Sequence, residues 1–114
     1  MAAMLLTLAP VWGQERGWRA VRESDLRAVF SEHDYGDGVH FAYQFRADGS
    51  FTGTEMGKSV KGKWKTAGKQ FCWGWTKPAG AEECYDVQKK GDEVRFMNYG
   101  SEAFFGKMAP LSSR

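Results

Sequence analysis

The pentapeptide Phe71-Cys72-Trp73-Gly74-Trp75 carries a large ring at every second position, with a cysteine between the first two. A two-residue period is that of a strand with one buried face, so Phe71, Trp73 and Trp75 share a side. The segment Lys77-Pro78-Ala79-Gly80-Ala81 then supplies Pro and Gly, as a five-residue hairpin loop does. Glu83-Cys84-Tyr85-Asp86-Val87 resumes the alternation with Tyr85 and Val87 apolar. Antiparallel pairing with Cys72 facing Cys84 sets Phe71 opposite Tyr85 and Trp73 opposite Glu83, and leaves both cysteines on the face away from the rings. Directly opposed residues meet the roughly 4.4–6.8 Å Cα separation that a disulfide needs. One register thus satisfies both the apolar pattern and the bond. Two free buried thiols are the alternative; two Cys and two distant His do not make a metal site. In the chain-entropy model the bond contributes about 3 kcal/mol, less where the hairpin already forms when reduced.

The rest of the chain repeats this period. Val39, Phe41, Tyr43 and Phe45 alternate with His40, Ala42, Gln44 and Arg46, and Ala47-Asp48-Gly49-Ser50 turns into Phe51-Thr52-Gly53-Thr54. A turn at Met56-Gly57-Lys58 leads into Ser59 to Lys65, with Val60 and Trp64 on one face and Lys61, Lys63 and Lys65 on the other. Lys90-Gly91-Asp92 and Tyr99-Gly100-Ser101 bound two further short strands, at Val94 to Phe96 and Ala103 to Met108. Alternation directs Val39, Phe41, Tyr43, Phe45, Phe51, Val60, Trp64, Phe71, Trp73, Trp75, Tyr85, Val87, Val94 and Phe96 inward. Before the strands, Ser24 reads as an N-cap and Leu26, Val29 and Phe30 form one apolar stripe, which predicts a short helix over Asp25 to Glu32. Short loops between successive strands exclude parallel crossovers. The predicted fold is mainly β: an antiparallel up-and-down meander of about seven strands, curled into a small barrel or half-barrel, preceded by one short N-terminal helix that covers one opening. The 114 residues suffice for a single core.

Ala2 to Trp12 is apolar and uncharged, the length of a signal-peptide h-region and too short to span a bilayer. No Lys or Arg precedes it, so either the start is truncated or the segment is a structural N-terminus; the apolar run favours the signal. The expected division is a signal peptide over 1–13, a connecting arm over 14–23, one β-domain over 24–109 and a tail over 110–114. Export would put Cys72 and Cys84 in an oxidising compartment, periplasmic or secreted.

The order helix, Tyr43-x-Phe45-x-x-Asp48-Gly49-x-Phe51, Gly62-Lys63-Trp64, Phe71-Cys72-Trp73 and Cys84-Tyr85-x-Val87 resembles small exported proteobacterial proteins with lipocalin-like or half-barrel folds, over roughly residues 25 to 108. The resemblance implies a barrel and export, and it transfers no catalytic residue.

A net charge of +2 argues for neither a nucleic-acid nor a membrane partner. Lys58, Lys61, Lys63, Lys65 and Lys69 form a basic stripe, but the aromatics point away from it, as on a solvated strand face. Glu82, Glu83 and Asp86 are placed to lie beside it across the sheet. His33, at the predicted helix end, and His40, on the outward face of its strand, stand at no triad or metal spacing. No phosphate loop or nucleophile elbow occurs, so no catalytic residue, metal or cofactor is expected. The inward rings either fill the barrel or line a cleft, with Tyr43, Trp64, Trp73, Trp75 and Tyr85 as candidate ligand contacts and Trp75 the one nearest a mouth. The expectation is a non-enzymatic β-domain that binds a small apolar ligand or serves as an envelope accessory. The competing expectation is a protein-protein module, such as a hydrolase inhibitor that inserts the loop Lys77 to Glu82.

Overall fold

The computed structural model describes residues 16–111. Its strands are β1 (Arg19–Ala20), β2 (His33–Gly36), β3 (Phe41–Phe45), β4 (Ser50–Glu55), β5 (Lys58–Ala67), β6 (Gln70–Lys77), β7 (Glu83–Lys90), β8 (Glu93–Asn98) and β9 (Ser101–Pro110), with the helix α1 (Glu23–Phe30) between β1 and β2. From β2 to β9 each strand pairs antiparallel with the next. β2 also pairs with β9, so the meander closes into an eight-stranded barrel.

Closure depends on β2, an eighth barrel strand beyond the seven that alternation predicts. Only one of its four residues, Tyr35, faces the core, too little for a two-residue period to register. Its partners show its role: Tyr35 lies opposite Tyr43 on one side and Met108 on the other. His33 belongs to this strand rather than to the helix end. The helix starts two residues earlier than the spacing implies, at Glu23, and ends at Phe30, where Ser31 leaves helical geometry and Glu32 adopts φ 60°. Arg22, not Ser24, is its N-cap, and no side chain caps it.

Two further corrections concern the ends. The arm over 14–23 is partly structured: β1 pairs with Gln88 and Lys89 of β7, on the side that β6 leaves free beyond Asp86. Trp18, 7% exposed, is anchored there by the Arg95 guanidinium 4.3 Å from its ring centre. Pro110 is not tail but the end of β9, opposite His33. The predicted signal over 1–13 and the last three residues lie outside the described residues.

The central hairpin has the register that the alternation requires. Phe71 faces Tyr85, Cys72 faces Cys84 and Trp73 faces Glu83. The two cysteines are joined, with Cα atoms 4.0 Å apart. Replacing both by Ser is expected to lower the unfolding free energy by about 2–3 kcal/mol without altering the fold, since the neighbouring ring pairs hold the register independently. Urea unfolding of the double variant against the oxidised parent measures this.

The barrel is filled. Phe30 enters one end from α1 and stacks on Phe71 at 4.2 Å between ring centres, with Phe45, Phe96 and Trp64 around it at 5.6, 5.8 and 6.2 Å. Leu26 and Phe30 are fully buried, so the apolar stripe of the helix becomes a plug. Inward glycines make room for so many rings. Gly53 lies opposite Tyr43 and Gly62 opposite Phe51, and in each case the ring covers the space where a side chain would be. Val39 is the exception to the inward set. At 80% exposure it sits in the β2–β3 turn, because Asp37 accepts hydrogen bonds from the N–H groups of Val39, His40 and Phe41 and bends the chain outward before β3 begins.

Candidate functional site at the open end of the barrel

With α1 closing one end, the other is bounded by the turns β2–β3, β4–β5, β6–β7 and β8–β9. The aromatic lining thins there. Phe41, Trp75 and Phe104 are only half-buried, whereas Tyr43, Trp73 and Tyr85 just beneath them are enclosed. Tyr43 lies 4.9 Å from Trp73 and 6.4 Å from Trp75, Phe41 is 5.8 Å from Phe104, and Phe104 is 6.1 Å from Tyr85. These six rings form the floor and wall of a mouth.

Four of the five candidate contacts, Tyr43, Trp73, Trp75 and Tyr85, are gathered here. Trp64 is not. It stands at the plugged end, donates its indole N–H to the Arg46 carbonyl at 2.9 Å, and carries the Arg27 guanidinium 4.9 Å from its ring centre.

The polar groups of the mouth are organised in two clasps. Tyr43 donates its phenol to Glu55, and Tyr85 donates its phenol to Glu83 at 2.8 Å. Both carboxylates face inward, Glu55 in phase with Phe51 and Glu83 in phase with Tyr85. Burial and then the bond to Glu55 drive the Tyr43 phenol far above the usual tyrosine range. Burial and then Glu83 push Tyr85 up to about 12. Both phenols therefore stay protonated donors at any physiological pH. The Trp73 indole N–H lies near enough to Tyr85 to oppose that rise slightly, yet it makes no full hydrogen bond, and the buried Trp75 N–H has no partner either.

Alternation could have found Glu55, which shares the parity of Phe51 and Gly53. Phe104 could not be assigned, because a bulge between Phe96 and Met97 breaks the phase of the last hairpin. The five lysines of the basic stripe are all exposed, and Lys65 pairs with Glu82 at 3.4 Å across the outer face. His40 lies in the β2–β3 turn rather than on a strand face, with Nδ1 2.8 Å from the Asp37 carboxylate.

A groove of about 1050 Å³ runs along the outside of β2, β3 and β4, past Asp34, Gly36, Ala42, Gln44 and Thr54. Val39, Phe41 and Leu111 also border it, but most of its walls are small and polar groups of a solvated sheet face. The unpaired indole donors and half-covered rings lie at the mouth.

The turns distinguish the two ends. At the plugged end, β5–β6 and β7–β8 turn through Gly68-Lys69 and Gly91-Asp92, with the glycine at positive φ. At the open end, β4–β5 and β8–β9 turn through Met56-Gly57 and Tyr99-Gly100, with Met56 at φ 51° and Tyr99 at φ 53°. Asn or Asp suits that position best, and a large apolar residue there costs stability. Met56 is 73% and Tyr99 99% exposed, so neither repays that cost by packing. Tyr99→Asn is expected to raise the unfolding free energy by about 0.5–1 kcal/mol, read as a higher urea midpoint at unchanged slope.

Comparison with protein-family models, with curated proteins and with solved structures returns no match to this chain.

Proposed function

We propose that this protein is an exported, non-enzymatic β-barrel that holds a small apolar ligand against its aromatic open end, acting as a binding or accessory component of the cell envelope. The observation that carries this reading is the half-covered Phe41, Trp75 and Phe104 surface above two buried indole donors without partners. Close packing beneath the Trp73 and Trp75 indoles supports a ligand seated at the mouth and reaching down no further than those two rings. Met56 and Tyr99, exposed apolar residues at turn positions that disfavour them, stand on the turns of the same end. The Cys72–Cys84 bond supports export, since such bonds persist in oxidising compartments. No helix among the described residues is long and apolar enough to cross a membrane.

The test is titration with the neutral apolar fluorophore N-phenyl-1-naphthylamine, following tryptophan quenching. Saturable quenching is expected in the parent, and a loss of affinity of at least tenfold in Trp75→Ala, whose ring is the most accessible indole of the mouth. Lys77→Ala and Glu82→Ala should bind as the parent does. Absence of saturable binding, or equal binding by Trp75→Ala, overturns the reading. Loss of activity only on changes to the Lys77–Glu82 loop would favour an inhibitor-type module instead.

A further inference from the structure

The mouth contains more than an apolar ligand uses. Glu55 and Glu83 both turn inward at the open end, each held by a tyrosine hydroxyl from below. Among the described residues no Lys, Arg or His side chain forms an ion pair with either. Lys58 is the cross-strand neighbour of Glu55 but makes no ion pair with it. Cations are nonetheless paired elsewhere on this barrel: Lys65 with Glu82, Arg95 with Glu102 and Arg22 with Asp25. Other carboxylates among the described residues, such as Asp86 and Asp92, also lack an ion pair, but they lie on the outer surface, whereas Glu55 and Glu83 face the rings.

Their placement adds to this. Glu55 lies on β4 and Glu83 on β7, and β6, which carries Trp73 and Trp75, lies between those strands in the sheet order. Each tyrosine donates its only proton to its carboxylate, which leaves the second carboxylate oxygen with no donor among the described residues. Trp73 is fully buried, and its N–H is left without an acceptor beside the Tyr85 phenol. Carboxylates seeking a cation, indole donors seeking an acceptor and ring faces that carry negative quadrupole thus converge on one opening.

From this we propose that the ligand is an organic cation: an ammonium group on an apolar or planar body, with an oxygen acceptor in the same molecule. Ring faces attract such a cation electrostatically, most strongly those of Trp, and a quaternary ammonium loses less hydration than a primary one when it enters an aromatic enclosure. Glu55 and Glu83 balance its charge. The indole N–H groups of Trp73 and Trp75 bind its oxygen, and Trp75, Phe41 and Phe104 cover its apolar part. This inference rests on the proposed binding role of the mouth and specifies the chemistry of what binds there.

A matched pair of probes separates the two ideas. (2-Phenoxyethyl)trimethylammonium has the ring, the ether oxygen and the cation; (3,3-dimethylbutoxy)benzene has the same shape and oxygen without charge. Calorimetric or fluorescence titration of the full chain is expected to give at least tenfold tighter binding of the cation, a preference that shrinks as NaCl is raised because screening weakens charge-charge attraction. The Glu55→Gln/Glu83→Gln double variant should bring the two probes to within about twofold of each other by weakening the cation alone. The salt series needs only the parent protein, so the outcome does not depend on the variant folding. Equal affinity of the parent for both probes overturns the cation assignment and leaves the apolar-ligand reading standing. Binding of neither probe overturns both. A cation preference that persists unchanged in a folded double variant removes the carboxylates from the assignment and overturns it as stated.

Discussion

Trp73→Ala is expected to cost about 4 kcal/mol of stability, enough to leave a domain of this size partly unfolded at 37 °C. Trp73 is fully buried and its ring centre lies within 4.7–6.0 Å of seven others, those of Tyr43, Phe45, Phe51, Phe71, Trp75, Phe96 and Phe104. Rings anchored on closed strands cannot collapse into the space, so the variant loses both the transfer energy of the indole and the contacts of everything around it. Trp75→Ala, two residues on and half-exposed, should cost about 1 kcal/mol. Guanidinium unfolding of the two variants side by side gives the comparison. A cost below about 1.5 kcal/mol for Trp73→Ala would mean that the interior is not close-packed. The contrast also identifies Trp75 as the better probe of binding, since its removal tests the mouth without dismantling what lies beneath.

The second large effect comes from one methyl group. Gly62→Ala is expected to destabilise the barrel by about 3 kcal/mol or to abolish its folding. A Cβ at Gly62 would lie 2.1 Å from the Gly74 carbonyl oxygen and 2.8 Å from two ring atoms of Phe51. Phe51 could in principle rotate aside, but the carbonyl belongs to β6, and its displacement would disturb the β5–β6 ladder at the irregularity between Lys61 and Gly62. Gly57→Ala is the control. It has nothing within 4 Å and a φ of 81°, so its cost reflects backbone conformation alone and should be near 1 kcal/mol. A Gly62→Ala cost no greater than that of Gly57→Ala would show that the contact relaxes freely.

The central hairpin was legible because two independent constraints, ring alternation and the cysteine pair, select one register. β2 was not, since four residues with a single buried side chain carry no period, and its pairing with β9 joins positions far apart in the chain. Val39 was misplaced inward because alternation alone cannot see that Asp37 ties down three backbone N–H groups and starts the strand two residues later. Alternation identified the rings of the site, but it does not say at which end of a closed barrel a residue stands. Trp64 was therefore grouped with Trp73 although α1 and Phe30 place it at the opposite end. The clasps of Glu55 and Glu83 escaped notice because a glutamate in phase with apolar residues reads as a break in the pattern.

The described chain enters beside the Lys90 turn, where Gly17 packs on the Lys90 side chain, and leaves beside Glu32, whose carbonyl accepts the Leu111 N–H at 3.1 Å. Both ends of the described chain lie at the base sealed by α1. A sensor surface or fused neighbour joined at Gly17 or Leu111 would thus grip the molecule by its stopper, with the aromatic rim at the far side.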